Sequence, residues 1–170
     1  MIAQEHISAE RTQTRGQLIG FTVVAAVTAA VAAFASATLS LPVWAMFIGW
    51  VAYFTRRPSV RDGLANLACL VLGLALGIGA SSAIATLMPK FGVASVAIVV
   101  FVVAMIVLSL RVVPIANNIL SYFLGIIGYF ASSHQEPALS IFVELGAAFA
   151  LGSFAGWIAN TIQSRLTRAA

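Results

Sequence analysis

Apolar residues run in long stretches along this chain, broken by short polar or proline-bearing segments. Runs such as VVAAVTAAVAAFASATL and VASVAIVVFVVAMIVL lack the period-two alternation of a membrane barrel, so they predict helices. A helix needs about 20 apolar residues to cross a hydrocarbon core of about 30 Å. By that measure the pattern predicts six spans, at roughly 18–40, 42–54, 63–88, 92–110, 113–130 and 138–163. The second is short, and Pro42 sets its start. The fifth is disturbed near its beginning by Pro114, followed by Asn117 and Asn118. Connections are brief, so neighbouring spans are expected to be antiparallel. Residues 1–17 and 164–170 read as polar tails.

One phrase is written twice. FIGWVAYF (47–54) and FLGIIGYF (123–130) share Phe-x-Gly-x-x-x-Tyr-Phe. With the two phrases aligned, span one falls on span four and span three on span six. GLALG (73–77) then meets GSFAG (152–156) after a slip of a few residues. The starts agree as well, since Asp62 opens span three and Glu136-Pro137 opens span six, and both residue types suit a helix N-terminus. The expectation is a duplication, with a first three-helix repeat over 18–88 and a second over 92–163. Three spans per half is an odd number, so the halves enter the bilayer from opposite sides. Inverted repeats of this kind are typical of transporters and channels, with the pathway near the midplane beside short or broken helices. The fold class is therefore all-α integral membrane, six transmembrane helices in two inverted repeats, with a short or broken middle helix in each.

Composition sharpens that picture. Residues of the AVILMFWYC set make up 61% of the chain and charged residues 8%. Soluble domains have about 45–50% apolar and about 25% charged residues. The net charge of +4 does not point to nucleic acid, because the basic residues flank apolar spans. With the N-terminus inside, Arg11, Arg15, Arg56, Arg57, Arg61, Arg111, Arg165 and Arg168 are cytoplasmic, and only Lys90 falls outside. The positive-inside rule thus predicts both termini in the cytoplasm. Arg11, Arg15 and the ASA at 35–37 resemble a cleaved signal peptide. The apolar stretch from Leu18 is too long for that, and its removal would break the repeat.

Candidate chemistry lies on the middle spans. At about 100° per residue, Asn118, Tyr122, Gly125 and Tyr129 share one face of span five. Pro42, Met46, Gly49 and Tyr53 share one face of span two. These faces are expected to oppose each other and line a pathway, to which Asn117 belongs as well. Equally, the glycines can serve close helix contact and the tyrosines an interfacial belt. Glu144 is the only acidic side chain well inside a span. A membrane carboxylate faces protein or water and is a candidate for binding a cation or relaying a proton. Asn66, Gly73 and Gly77 on span three, with Gly152 and Gly156 on span six, read as helix-packing residues. His134 lies in the outer loop and reads as solvated, and Cys69 as a small packing residue. No phosphate loop, dinucleotide fingerprint, zinc motif or nucleophile elbow occurs, so no enzyme activity, cofactor or metal is expected.

The stretch LPVWAMFIGWVAYF and the later SYFLGIIGYFASS carry a resemblance. Trp44, Ala45, Phe47, Gly49, Tyr53 and Phe54, followed by a glycine-rich helix, resemble small bacterial inner-membrane proteins of the YcdZ/YahC type, the domain-of-unknown-function 1097 family. The resemblance covers about residues 18–163 and implies location in the bacterial inner membrane and the number of spans, with no substrate and no catalytic residues. The functional expectation is a channel or small transporter for a small neutral or cationic solute, urea-, ammonia- or amine-like. The partners expected are the lipid bilayer, the solute and further copies of the chain. The alternative is a scaffold or accessory subunit that assembles through its glycine-rich helix faces.

Overall fold

A computed structural model describes residues 15–132 and 137–169. Arg11, His134 and Glu136 lie outside the described residues. The elements are α1 (Arg15–Thr38), α2 (Val43–Tyr53), α3 (Val60–Phe91), α4 (Ala94–Ser109), α5 (Ile119–Ala131) and α6 (Ala138–Ala169). A 3-10 turn, Leu110–Val112, extends α4. The described residues form no strand.

Four helices are long and apolar enough to cross a membrane: α1, α3, α4 with its 3-10 turn, and α6. The two middle helices are not. α2 has 11 residues and α5 has 13. At 1.5 Å per residue these make about 16 and 20 Å of helix, against about 30 Å of hydrocarbon. The fifth span expected from residue 113 is shortened, because 113–118 is non-helical around Pro114. Proline there removes a backbone donor and restrains the residue before it. Outward faces are apolar throughout: Val31 and Phe34 on α1, Val100 and Phe101 on α4, and Leu139 and Val143 on α6 are all more than half exposed. Water would penalise such a girdle and lipid would not. The molecule is a multi-pass membrane protein.

Local chemistry sets the helix ends. Ser59 caps α3, its Oγ accepting from the Asp62 amide at 3.0 Å. Asp62 in the first turn also suits the helix dipole. Gly92 ends α3 at φ +53°, a left-handed position that glycine occupies without steric cost. Asn118 caps α5, its Oδ1 accepting from the Ser121 amide at 3.3 Å. Pro42 stands at the N-cap of α2.

Packing does not follow chain order. α2 lies chiefly against α6, and α5 chiefly against α3. α1 rests on α6, where Gln163 Nε2 donates to the Phe21 carbonyl at 3.0 Å. α4 rests on α3. One bundle is thus α1, α2 and α6, and the other is α3, α4 and α5. Their shared core holds Ala45, Ala52, Leu70, Leu74, Tyr129, Leu145, Ala148 and Phe149. Short connections join successive helices, so the helix termini gather at two ends of the molecule. One end, the arginine end, carries Arg56, Arg57, Arg61, Arg111 and Arg165. The other, the glutamate end, carries Lys90 and, two turns into α6, Glu144.

Candidate functional site

Glycines bring the middle helices onto the long ones. A Cβ on Gly49 would run into the Phe149 carbonyl of α6, and one on Gly152 into the Met46 carbonyl of α2. On the other side, a Cβ on Gly125 would strike the Leu70 carbonyl of α3, and one on Gly73 the Tyr122 carbonyl of α5. One turn on, a Cβ on Gly156 would lie 3.1 Å from Tyr53 Cβ, and one on Gly77 2.8 Å from Tyr129 Cβ. The same three contacts therefore occur twice. Backbone meets backbone at both crossings, which is how small residues hold helices together in lipid.

This geometry corrects one expectation. The glycine faces of α2 and α5 do not oppose each other; each is closed against a long helix of the other half. Helical spacing identified the faces, but the partner came from tertiary packing. Gly73 and Gly152 face backbone, and Gly77 and Gly156 face side chains, of a neighbouring helix within the chain. Tyr53 is wedged between Gly63 of α3 and Gly156 of α6. Tyr122 is buried in a small cluster with Cys69 and Val107.

Polar side chains gather at the arginine end. Asn66 is fully buried, and Asn118 is nearly so. The Asn118 amide donates to Asn66 Oδ1 and to Thr55 Oγ1, both at 2.6 Å. Asn66 Nδ2 donates to the Tyr53 carbonyl at 3.2 Å, near the end of α2. Thr55 Oγ1 donates back to the Ala52 carbonyl at 2.7 Å and lies 3.4 Å from Ser121 Oγ. Both amides thus find partners for donor and acceptor groups, the condition for burying them cheaply. At the rim, Arg56 Nη1 reaches the Ile115 carbonyl at 3.3 Å and Nη2 the Pro114 carbonyl at 3.5 Å. Asn117 is exposed and outside this cluster.

Glu144 stands at the opposite end. It lines a recess of about 120 Å³ with Pro42, Trp44, Ala131, Ser132, Ile141 and Leu145. Among the described residues its carboxyl has no hydrogen-bond or ion-pair partner. Asn118 and Glu144 are therefore not brought together. A second recess, of about 340 Å³, opens sideways between α3 and α6, where Tyr53, Leu67, Phe154 and Trp157 line it, and a third, of about 520 Å³, lies at the arginine end against Arg56, Arg61, Asp62, Pro114 and Ile115. No group of three His, Cys, Asp or Glu that could hold a metal lies among the described residues.

Sequence reasoning missed Thr55, Ser121 and Arg56. Ser121 was within reach, because an asparagine after a proline-bearing break, three residues before a serine in an apolar run, marks a helix N-cap. Thr55 follows the repeated Tyr-Phe directly, and only the fold brings it to Asn118.

The chain belongs to a family described as protein of unknown function (DUF1097), whose model matches residues 22–163. Neither a curated relative nor a solved structure matches it.

Proposed function

We propose that this DUF1097 protein is a small transporter or channel built from two inverted three-helix repeats, α1–α3 and α4–α6. The observation that carries the reading is the double set of glycine contacts. Met46, Gly49 and Tyr53 meet α6 as Tyr122, Gly125 and Tyr129 meet α3. Correspondence at that level, between halves of three helices each, is what an inverted duplication produces. Its commonest use in membranes is alternating access to a site between the repeats.

In this reading the arginine end faces the cytoplasm of a bacterial inner membrane, with both termini inside. Glu144, in a recess at the outer end, receives a small neutral or cationic solute of urea, ammonia or amine type. The solute passes between the bundles and leaves beside Asn118, Thr55 and Asn66. No bond is made or broken, and no metal or cofactor takes part. An assembly role through glycine faces has less support, since the contact glycines are taken up inside the chain.

The test is uptake into proteoliposomes from a panel of urea, ammonia, methylamine and larger amines. Entry of at least one solute well above the rate of protein-free vesicles is the expected result. Equal rates across the panel would discard transport and leave the accessory-subunit reading.

A further inference from the structure

The break that shortens α5 leaves space at the arginine end. Because the helix begins only at Ile119, Pro114 and Ile115 lie in a non-helical stretch beside the first turns of α3. The recess there, of about 520 Å³, is lined by Arg56, Arg61 and Asp62 and by the apolar Leu64, Pro114 and Ile115. Two guanidinium groups and one carboxylate give this lining a single net positive charge. The Asp62 carboxylate is engaged locally, accepting from Ser59 Oγ at 3.0 Å. Arg56 is positioned by its bonds to the Pro114 and Ile115 carbonyls, and a guanidinium carries more donors than these use. Arg61 is exposed and makes no hydrogen bond or ion pair among the described residues.

Leu64 also borders the sideways recess of about 340 Å³ between α3 and α6, with Val60, Leu67, Ala150, Phe154 and Trp157. The two spaces are thus neighbours across one side chain, and that side chain is itself 64% exposed. Val60 to Leu67 is about 10 Å of helix, so the crevice leads from the arginine end into the hydrocarbon region. A cationic recess at the interface beside an apolar crevice beneath it has the layout of a phospholipid. A soluble anion would use only the first space, and a hydrocarbon only the second.

We propose that the arginine end binds one monoanionic phospholipid. Arg61 and Arg56 hold its phosphodiester, and an acyl chain lies over Leu64 in the α3–α6 crevice. Guanidinium-to-phosphate hydrogen bonds are charge-assisted, and basic pockets between membrane helices are known to take anionic headgroups. The single net positive charge of the lining matches one negative headgroup. A zwitterionic lipid would bring its own cation against the arginines. Arg57 and Arg111 are exposed at the same end but do not line the recess. They add the attraction that any basic flank exerts on an anionic membrane, and that attraction singles out no residue. The site does not rest on the transport reading.

The experiment follows thermal unfolding of the full chain in detergent, because a ligand of the folded state raises the midpoint. The additions are long-chain phosphatidylglycerol, its dihexanoyl form, long-chain phosphatidylcholine and inorganic phosphate. Long-chain phosphatidylglycerol is expected to raise the midpoint by several degrees and the dihexanoyl form by less. Phosphatidylcholine and phosphate should do little. Arg61→Gln should lose most of the response to phosphatidylglycerol. Arg165→Gln removes the same charge from an exposed position that lines neither recess, and should keep the response. Ala150→Phe places a ring in the crevice from an exposed position, and should reduce the long-chain response to that of the dihexanoyl lipid. The milder Ala150→Leu replaces it if the phenylalanine variant does not fold. Equal losses in Arg61→Gln and Arg165→Gln would mean general attraction to anionic lipid and overturn the proposal. So would an equal response to phosphatidylcholine, or a response to phosphate alone that matches the lipid. A folded Ala150 variant that still prefers the long chain would overturn the placement of the acyl chain, and with it the site.

Discussion

The arginine end and the glutamate end are built on corresponding backbone and filled with different chemistry. At one, α5 starts on Asn118, whose amide ties together Thr55 and Asn66. At the other, α2 starts on Pro42, and Leu145 is buried where Asn66 would correspond. The helix crossings beneath are held by the same glycine-to-backbone contacts on both sides. Geometry and polarity are thus separable in this fold. Glycines set how close the helices come, and the ends are free to diverge. One end carries a satisfied polar network, and the other a carboxyl group that has no partner among the described residues.

The geometric half of that comparison faces the largest effects. Gly49→Leu and Gly125→Leu each force a side chain into a carbonyl of the facing helix. Overpacking against flexible side chains costs about 1–3 kcal/mol, and backbone yields less readily, so each is expected to cost at least about 3 kcal/mol. Thermal unfolding in detergent should place the two variants close together, with little folded protein from either. If one is tolerated and the other is not, the crossings are not equivalent.

The chemical half is tested by exchanging residues. Leu145→Asn puts an amide into an apolar cluster that includes Ala45, Ile141 and Ala148. A buried polar group without a partner costs about 2 kcal/mol in mutational series. Asn66→Leu leaves the Tyr53 carbonyl and one Asn118 donor short of a partner. Side-chain hydrogen bonds in membrane proteins average only about 0.6 kcal/mol, so the loss should be nearer 1 kcal/mol. Unfolding midpoints therefore rank Leu145→Asn below Asn66→Leu. An undisturbed Leu145→Asn would mean that the glutamate end accepts polarity as readily as the arginine end.

Glu144 distinguishes the ends functionally. Its side chain is only half-buried and makes no bond among the described residues, so Glu144→Gln should change stability by no more than about 0.5 kcal/mol. Uptake of cationic solutes should fall several-fold while neutral ones are unaffected, because the amide keeps the shape and loses the charge. Equal uptake of both classes in parent and variant would remove Glu144 from the pathway.

Much of this architecture is legible in the sequence, and the limits are physical. Composition and long apolar runs suffice for a helical membrane protein, and Phe-x-Gly-x-x-x-Tyr-Phe marks the two middle helices. Spacing also put Asn118, Gly125 and Tyr129 on one face. What spacing cannot supply is the partner of a face. Gly49 and Gly125 share a motif, which invites the idea that they meet, yet each meets a long helix instead. The cluster was half visible for the same reason. Asn66 and Asn118 stand out as amides in apolar surroundings, whereas Thr55 looks like an ordinary loop residue until α2 and α5 are side by side. Asn117 reads as equivalent to its neighbour in sequence, yet it lies in the non-helical stretch before α5 and is exposed, whereas Asn118 caps the helix and is buried.

The smallest effects come from glycines that make no contact among the described residues. Gly79 on α3 and Gly146 on α6 lie in the same long helices as Gly73 and Gly152, but a Cβ at either meets no atom within 4 Å. If glycine served these helices through flexibility or a general membrane preference, all four positions would resist alanine. If it serves through contact alone, Gly79→Ala and Gly146→Ala remove only the conformational freedom of the unfolded chain and gain about 0.5–1 kcal/mol. Unfolding midpoints equal to or slightly above the parent's are therefore expected for both. A loss comparable to Gly125→Leu at either site would mean that the glycine contacts do not account for the fold, and the likeness between the two crossings would lose its physical basis.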